Sequence, residues 1–193
     1  MPKLGMEPIR RDALVKATIA AVGQAGSLDV TVGQIARAAG MSSALAHHYF
    51  GAKEQIFDAA MRHILGLYGA EVRAELVTAE TPRARVEAIV RASFAPSNFQ
   101  TDAVSAWLVF YVRAHVSTQA RRLLTVYQRR LRSNLLAGLR PLVDAGAPAV
   151  AETLAALIDG FYIRAALAPE APDGAAATAA VLAVLDRLAG GEA

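Results

Sequence analysis

Apolar residues recur every three or four positions along almost the whole chain, whereas alternation at every second position is hardly found. This period places apolar side chains on one face of a helix, so the expected fold class is all-α. The first helix is predicted over residues 8–26, because Pro8 suits an opening helical position and Gly26 suits a helix end. Its predicted buried stripe consists of Ile9, Leu14, Ala17, Ile19, Ala20 and Ala21.

Two short helices are predicted to follow. Thr31 and Gln34 have the spacing of a reciprocal cap at the start of the second helix, and Gly40 can adopt the positive φ that often ends one. Ser42 can cap the third helix, which Gly51 ends. The residues predicted to pack between these helices are Ile35, Ala36, Ala39, Ala46, Phe50 and Phe57.

The rest of the chain is predicted to form longer helices. A fourth helix extends from about residue 53 to about residue 77. Further helices are predicted over residues 83–94, 102–115, 118–137, 149–167 and 174–188. The breaks between them are rich in proline, glycine and small polar residues, which favour turns over helix.

Composition narrows the class of protein. Hydrophobic residues make up 54% of the chain and charged residues only 19%, which argues against disorder. No apolar run reaches the roughly 18 residues of a membrane span, and the first residues lack a secretion signal, so a cytoplasmic protein without a membrane partner is expected. The absence of cysteine is consistent with that compartment. A net charge of +3 permits a polyanionic partner without requiring one.

The histidines do not have the spacing of a metal site. His47 and His48 are neighbours and point about 100° apart on a helix, while His63 and His115 are isolated. The sequence also lacks a Ser/His/Asp set, paired carboxylates in a polar context and a phosphate-binding glycine loop. We therefore expect neither metal nor cofactor, and no enzymatic activity.

The two short helices around Gly40 have the dimensions of a helix-turn-helix, whose second helix enters the major groove of DNA. The side chains expected to face the bases are Ser43, Ala44, Leu45, His47 and His48, beside the helix-capping Ser42. Thr31, Tyr49 and Lys53 are expected to contact phosphates, which position the protein without specifying a sequence. The alternative is that these residues are a solvated turn of a helical bundle.

The stretch "TVGQIARAAGMSSALAHHYFGAKEQIF" resembles the N-terminal signature of the tetracycline-repressor (TetR) family of DNA-binding repressors. The residues in register with that signature are Thr31, Ile35, Ala36, Ala39, Gly40, Ser42, Tyr49, Phe50, Lys53 and Glu54. The chain departs from it at Ala44, His47 and Ala52, where the family often has glycine, tyrosine and serine. These departures affect the choice of operator rather than the motif.

The segments "SNFQTDAVSAWLVFYVRAHVSTQARRLL" and "LAALIDGFYIRAAL", with the N-terminal residues, are similar to the choline-responsive branch of that family, which represses glycine-betaine synthesis genes. The resemblance implies a helix-turn-helix domain over residues 1–52 and an effector-binding and dimerisation domain over residues 53–193. It also implies a homodimer that pairs through the last two helices, a palindromic operator and choline as the small-molecule effector.

Eight of the twelve aromatic residues lie between Phe94 and Tyr162. A quaternary ammonium ion is attracted to aromatic rings by about 0.5–2 kcal/mol per ring. The candidate ring residues are Phe94, Phe99, Trp107, Tyr111, Tyr127 and Tyr162. The alternative is that these rings are ordinary core. Asp159, an acid within an apolar helix, could neutralise a neighbouring arginine or face a bound ammonium.

Seven arginines between Arg113 and Arg140 occur without a carboxylate between Asp102 and Asp144. They could be solvated, pair with distant acids, or attract an anionic effector. The alternative function is therefore a repressor of the same architecture that senses an anionic or hydrophobic compound.

Overall fold

A computed structural model describes residues 6–190, so the outermost residues of both predicted domains, 1–5 and 191–193, lie outside the described part. Over that range the chain forms helices and no strand, which confirms the all-α fold class. The helices are α1 (Met6–Ala25), α2 (Val32–Ala38), α3 (Ser43–Phe50), α4 (Lys53–Val77), α5 (Pro82–Ser93), α6 (Thr101–Val116), α7 (Thr118–Val143), α8 (Ala147–Leu167) and α9 (Gly174–Ala189). A 3₁₀ turn, Asp144–Gly146, joins α7 to α8.

The helix caps around the turn are those predicted. The backbone N–H of Thr31 donates to Gln34 Oε1 at 2.7 Å, and the Gln34 N–H donates to Thr31 Oγ1 at 3.1 Å. Gly40 has a φ of 68°, which an L side chain rarely adopts, and Ser42 Oγ accepts the Leu45 N–H at 3.2 Å. These local bonds set the angle between α2 and α3.

The buried face of α1 differs from the prediction. Its buried residues are Leu14, Val15, Thr18 and Val22. Ile9 was predicted to be buried but is 61% exposed, because it lies about 140° around the helix from Leu14. The alanines of the predicted stripe, Ala17, Ala20 and Ala21, are only half-buried.

The small N-terminal core is largely as predicted. Ile35, Ala36, Ala46 and Phe57 are buried, whereas Ala39 and Phe50 are half-buried. α1 also approaches α6 closely. A side chain at Gly23 would put its Cβ 2.6 Å from the Asp102 carbonyl oxygen, so only glycine permits this contact with the start of α6.

Helix α7 is six residues longer than predicted. The prediction ended at residue 137, but the helix continues through the exposed Pro141 to Val143. The buried Leu139 anchors the additional turn, and Pro141 interrupts the backbone hydrogen bonds only within the last turn, since the helix ends two residues later. Further back, Gly138 allows close packing on α5, since a Cβ at this position would lie 2.7 Å from Val86 Cγ2.

By length and composition alone, one 18-residue window between Thr118 and Leu167 is apolar enough to cross a membrane. The expectation that no such run exists was therefore too strict. The turn at Asp144–Gly146 interrupts this stretch, and only 28% of the window is buried within the subunit. Most of the surface of this window is therefore exposed on the isolated subunit.

Candidate DNA-binding surface and effector site

The third helix turns one face to the protein and the other to solvent. Ala46 is fully buried against α1, α2 and α4, which fixes the orientation of α3. The exposed face contains the predicted base-facing residues Ser43, Ala44, His47 and His48, with Leu45 half-buried beside them. The structure therefore places these side chains on one exposed surface next to the capping Ser42.

The ring of His47 is held by the end of its own helix. Its Nδ1 lies 2.7 Å from the carbonyl oxygen of Gly51. A carbonyl can only accept, so Nδ1 carries the hydrogen, and in the neutral ring Nε2 is left as an acceptor. An acceptor on the exposed face of α3 suits the amino group of adenine or cytosine.

Two arginines of α1 contact the end of α3, and the sequence reasoning missed both. Arg10 Nη1 donates to the Tyr49 hydroxyl at 3.4 Å. The Arg11 guanidinium lies 5.2 Å from the ring centroid of Phe50 and 5.6 Å from that of Tyr49. The sequence signal was the pair of basic residues in "PIRRDA", because guanidinium groups beside a helix-turn-helix commonly contact phosphates.

The remaining predicted phosphate contacts flank α3. Thr31 is exposed at the start of α2, although its hydroxyl already takes part in the cap. Lys53 begins α4, and its Nζ lies 5.4 Å from the ring centroid of Phe57. Its ammonium group is thus oriented by an aromatic ring at a helix N-terminus, where anions are favoured.

Ring contacts link the six predicted aromatic residues to one another, and we call this group the aromatic cluster. Trp107 stands at its centre, with ring centroids 5.0 Å from Tyr127, 5.8 Å from Tyr111 and 6.0 Å from Tyr162. Phe94 and Phe99 join it through Tyr162, at 6.2 and 5.0 Å. The sequence reasoning missed Phe161, 5.7 Å from Phe94, and Tyr68, 5.5 Å from Tyr127.

Asp159 lies at the edge of this cluster and is bound by tyrosines. The Tyr127 hydroxyl donates to Asp159 Oδ1 at 3.3 Å, and the Tyr111 side chain lies close enough to lower the pKa of this carboxyl. The suggestion that Asp159 neutralises an arginine is wrong, since in residues 6–190 none lies within 4.0 Å of its carboxylate. Burial raises the pKa of Asp159, and the tyrosine hydrogen bonds offset part of that rise.

The cluster also contains a polar group without a partner. Tyr68 is 8% exposed, and its hydroxyl has no hydrogen-bond partner among the described residues. Burial raises the pKa of Tyr68 to about 12. By contrast, the Tyr162 hydroxyl donates to the Ser93 carbonyl oxygen at 2.5 Å. A buried unpaired hydroxyl is rare in proteins and suggests a place for a ligand atom.

The arginines between positions 113 and 140 have different environments. Arg121 donates to the carbonyl oxygens of Ala114 and His115, at 3.1 and 2.6 Å, and so closes the turn between α6 and α7. Arg132 lies 4.0 Å from Glu152 of α8. The solvent-exposed members without an ion pair in the described chain are Arg122, Arg129, Arg130 and Arg140.

Arg113 connects the aromatic cluster to the DNA-binding helices. It follows Trp107 and Tyr111 on α6, and its Nη2 lies 3.8 Å from Asp58 Oδ1 of α4. Both side chains are nearly buried, at 13% and 14% exposure, and the guanidinium also lies 5.6 Å from the Phe57 ring centroid. Arg113 follows Tyr111 of the cluster by two residues, and the Phe57 ring that its guanidinium contacts also lies beside Lys53.

Two family models cover most of the chain. The model of bacterial regulatory proteins of the tetR family matches residues 14–60, and that of the C-terminal region of BetI-type transcriptional repressors matches residues 82–190. The HTH-type transcriptional regulator BetI of Brucella anthropi is 50% identical over 182 residues, 94% of both chains. The regulator of the same name from Rhizobium meliloti is 53% identical over 168 residues, 86% of this chain and 83% of the relative.

Solved structures share the fold. A transcriptional regulator of Pseudomonas aeruginosa PAO1 matches 97% of this chain and 94% of its own, at 24% identity and a TM-score of 0.81. A regulator of Saccharomonospora viridis, solved in complex with choline, matches 93% of this chain and 96% of its own, at 22% identity and a TM-score of 0.79. The chain is a DNA-binding transcriptional repressor rather than an enzyme, and it belongs to the TetR family with a BetI-type C-terminal domain.

Proposed function

We propose that this repressor responds to choline and controls genes of choline and glycine-betaine metabolism. The observation that supports choline is the position of Asp159, which accepts a hydrogen bond from Tyr127 of the aromatic cluster. The distant S. viridis regulator, which has the same fold, was solved with choline bound. The resemblance of the sequence to choline-responsive repressors supports the target genes.

Choline suits this arrangement for a chemical reason. Its trimethylammonium group has a permanent positive charge but no hydrogen to donate, so hydrogen-bond acceptors alone cannot select it. Ring faces attract such a cation, and a carboxylate adds a full opposite charge in a partly desolvated place. A cavity of about 360 Å³ between α7 and α8 reaches Asp159, and its charged lining consists of the acids Glu152 and Asp159 and the arginines Arg129 and Arg132.

We further propose that the repressor acts as a homodimer on a palindromic operator. The last two helices expose apolar side chains, with Leu167 at 71%, Leu188 at 42% and Ile163 at 38%. A second copy would cover this surface, and two-fold symmetry would present two α3 helices to successive major grooves. Residues 1–52 and 53–193 are the domains in this scheme.

Choline would alter DNA binding through α6 and α4. The cluster residues Trp107 and Tyr111 share α6 with Arg113, which contacts Asp58 on α4. A shift of α6 on binding would move the start of α4 and with it the spacing of the two α3 helices. Choline can change operator affinity only as far as its own affinity differs between the two arrangements.

Isothermal titration with matched ligands tests the effector. Choline should give saturable heat, while 3,3-dimethylbutanol, which has the same shape without charge, should bind at least about tenfold more weakly. Binding only of anionic or neutral hydrophobic compounds would instead support the alternative effector class and exclude choline.

An electrophoretic shift assay tests the operator. We expect the protein to retard a duplex from upstream of its own gene, with an affinity that falls steeply with salt and changes on adding choline. A matched duplex with one half-site scrambled is the control. Equal affinity for both duplexes would contradict a palindromic operator, and equal affinity with and without choline would contradict the choline response.

A further inference from the structure

A second cavity, of about 370 Å³, lies between α4 and α7. Its volume falls in the lower part of the range of small-molecule sites. The walls are apolar, with Leu65 and Val72 from α4 and Val126 from α7, and Tyr127 of the aromatic cluster and its neighbour Tyr68 also line the cavity. It opens on a different side of Tyr127 from the cavity that reaches Asp159.

Apart from the two tyrosine hydroxyls, the polar groups that line this cavity are two guanidinium groups and one amide. Arg73 of α4, Arg130 and Asn134 of α7 line it, and no carboxylate does. Within residues 6–190 neither arginine has an acid within 4.0 Å. Two unpaired guanidinium groups therefore border one apolar cavity from opposite helices.

The guanidinium of Arg73 turns back along its own helix. A Cβ built on Gly69 would lie 3.4 Å from Arg73 Nη1, and Gly69 itself lines the cavity. This distance is an ordinary van der Waals contact, so the guanidinium lies against residue 69 at the exposed mouth of the cavity.

We propose that the cavity between α4 and α7 binds a small organic carboxylate with a short apolar chain. The guanidinium groups match the two oxygens of a carboxylate, and the Asn134 amide offers a further donor. The apolar walls contact the chain. This ligand class is opposite in charge to choline, and the site does not depend on the proposed choline response.

Hexanoate is a suitable probe because its chain matches a small cavity. Isothermal titration should show saturable binding of hexanoate at one site per subunit. Hexan-1-ol and hexylammonium, which have the same chain without the negative charge, should bind at least about tenfold more weakly. Absence of saturable hexanoate binding, or equal binding of hexanol, would overturn the proposal.

Variants locate the site. In the double variant Arg73→Gln and Arg130→Gln, hexanoate should bind about tenfold more weakly or worse, because both charged donors are lost. Arg122→Gln and Arg140→Gln together remove equal charge from exposed positions of α7 outside the cavity and should leave the affinity within about twofold. Equal weakening in both double variants would reduce the effect to net charge and contradict the proposal.

A further pair of titrations separates this site from the choline site. Asp159→Asn should weaken choline but not hexanoate, whereas the Arg73 and Arg130 double variant should weaken hexanoate but not choline. Failure of choline binding alone would count against the proposed function only. If Asp159→Asn changed hexanoate binding as strongly as the arginine variant, the carboxylate would occupy the aromatic cluster and this second site would not exist.

Discussion

A single hydrogen bond gives His47 a definite chemical role among the exposed residues of α3. Its Nδ1 donates to the Gly51 carbonyl, so Nε2 is the atom available to a base edge. Lys53, in contrast, has only a point charge beside the Phe57 ring. One residue can therefore discriminate between bases, while the other contributes affinity without sequence preference.

Substitution of these two residues should separate those contributions. His47→Ala should change the preferred base at one operator position, with a loss of discrimination of about 1–3 kcal/mol. Lys53→Ala should weaken binding to all sequences and lower the slope of log K against log salt by about 0.9 per subunit, or about 1.8 for the dimer. Binding to a randomised half-site library at several salt concentrations measures both. Unchanged base selectivity in His47→Ala would exclude it as a base-contacting residue.

The ionisation of Asp159 makes choline binding depend on pH. Its pKa is raised by burial, and in the proposed site the ionised form is the one that attracts choline. We therefore expect affinity to increase with pH from the usual aspartate pKa of about 3.9 through the raised value and to level off above it. Calorimetric titrations across that window measure the effect. Asp159→Asn should bind weakly at every pH, and a pH dependence that persisted in it would assign the effect to another group.

The same raised pKa fixes the sign of a stability effect. The folded protein binds the Asp159 proton more tightly than the unfolded chain, so this group lowers the free energy of unfolding as the pH rises through its raised pKa. The penalty is absent at lower pH. Asp159→Asn should abolish this contribution to the pH profile of urea unfolding.

Two tyrosines of the aromatic cluster form a matched pair for unfolding experiments. The Tyr162 hydroxyl has a hydrogen bond and the Tyr68 hydroxyl has none. Tyr162→Phe should lower the free energy of unfolding by about 0.5–1.5 kcal/mol, whereas Tyr68→Phe should leave it unchanged or raise it slightly. Urea unfolding measures both. An equal loss in the two variants would show that the Tyr68 hydroxyl does have a partner in solution.

At the scale of helices, the sequence pattern predicted the elements better than their packing. The caps at Thr31 and Ser42 were predictable because they depend on residues three positions apart. The buried face of α1 was not, because its neighbours α4 and α6 come from elsewhere in the chain. Ile9 is exposed for this reason, and Tyr68 was missed because its ring partner Tyr127 is 59 positions away.

The aromatic cluster shows the same limit. The spacing of Trp107 and Tyr111 predicted that they share a helical face, but the meeting with Asp159 depends on how α6, α7 and α8 pack. From the sequence, Asp159 was expected to pair with an arginine or a bound ammonium. In the structure it interacts with tyrosine side chains instead. Its role in ligand binding stays a prediction.

The ion pair between α6 and α4 is expected to transmit the effector signal. The double variant Asp58→Leu and Arg113→Met replaces both partners by apolar residues and avoids an unpaired buried charge. It should still bind operator and choline, but the change in operator affinity caused by choline should shrink by about 0.5–2 kcal/mol. Operator titrations with and without choline measure this coupling.

A second ion pair between helices serves as the control. Arg83 of α5 contacts Asp186 of α9, so this ion pair involves neither α4 nor α6. The double variant Arg83→Gln and Asp186→Asn should therefore keep the full effect of choline on operator affinity. If choline also lost its effect on operator affinity in this variant, the loss would be a general result of weakened helix packing and would not be specific to the pair of Asp58 and Arg113.

At the scale of the whole molecule, the exposed apolar surface of α8 and α9 is difficult to explain in a monomer. The apolar 18-residue window between Thr118 and Leu167 is only 28% buried, although the relatives of this chain are transcriptional regulators. A protein–protein interface accounts for both facts, because it covers apolar surface without a bilayer.

The double variant Ile163→Glu and Leu188→Glu should therefore be monomeric, because a dimer would bury four unpaired carboxylates in an apolar interface. Monomers lose the second α3 and with it the gain from binding two half-sites at once, so operator affinity should fall by about a hundredfold or more. Sedimentation equilibrium and shift assays measure the two effects.

Val77→Glu, at a position on α4 that is 84% exposed, adds charge away from this surface and should leave the mass and affinity unchanged. A dimer that persisted in the double variant would place the interface elsewhere, and the orientation of the two α3 helices proposed for the palindrome would have to change with it.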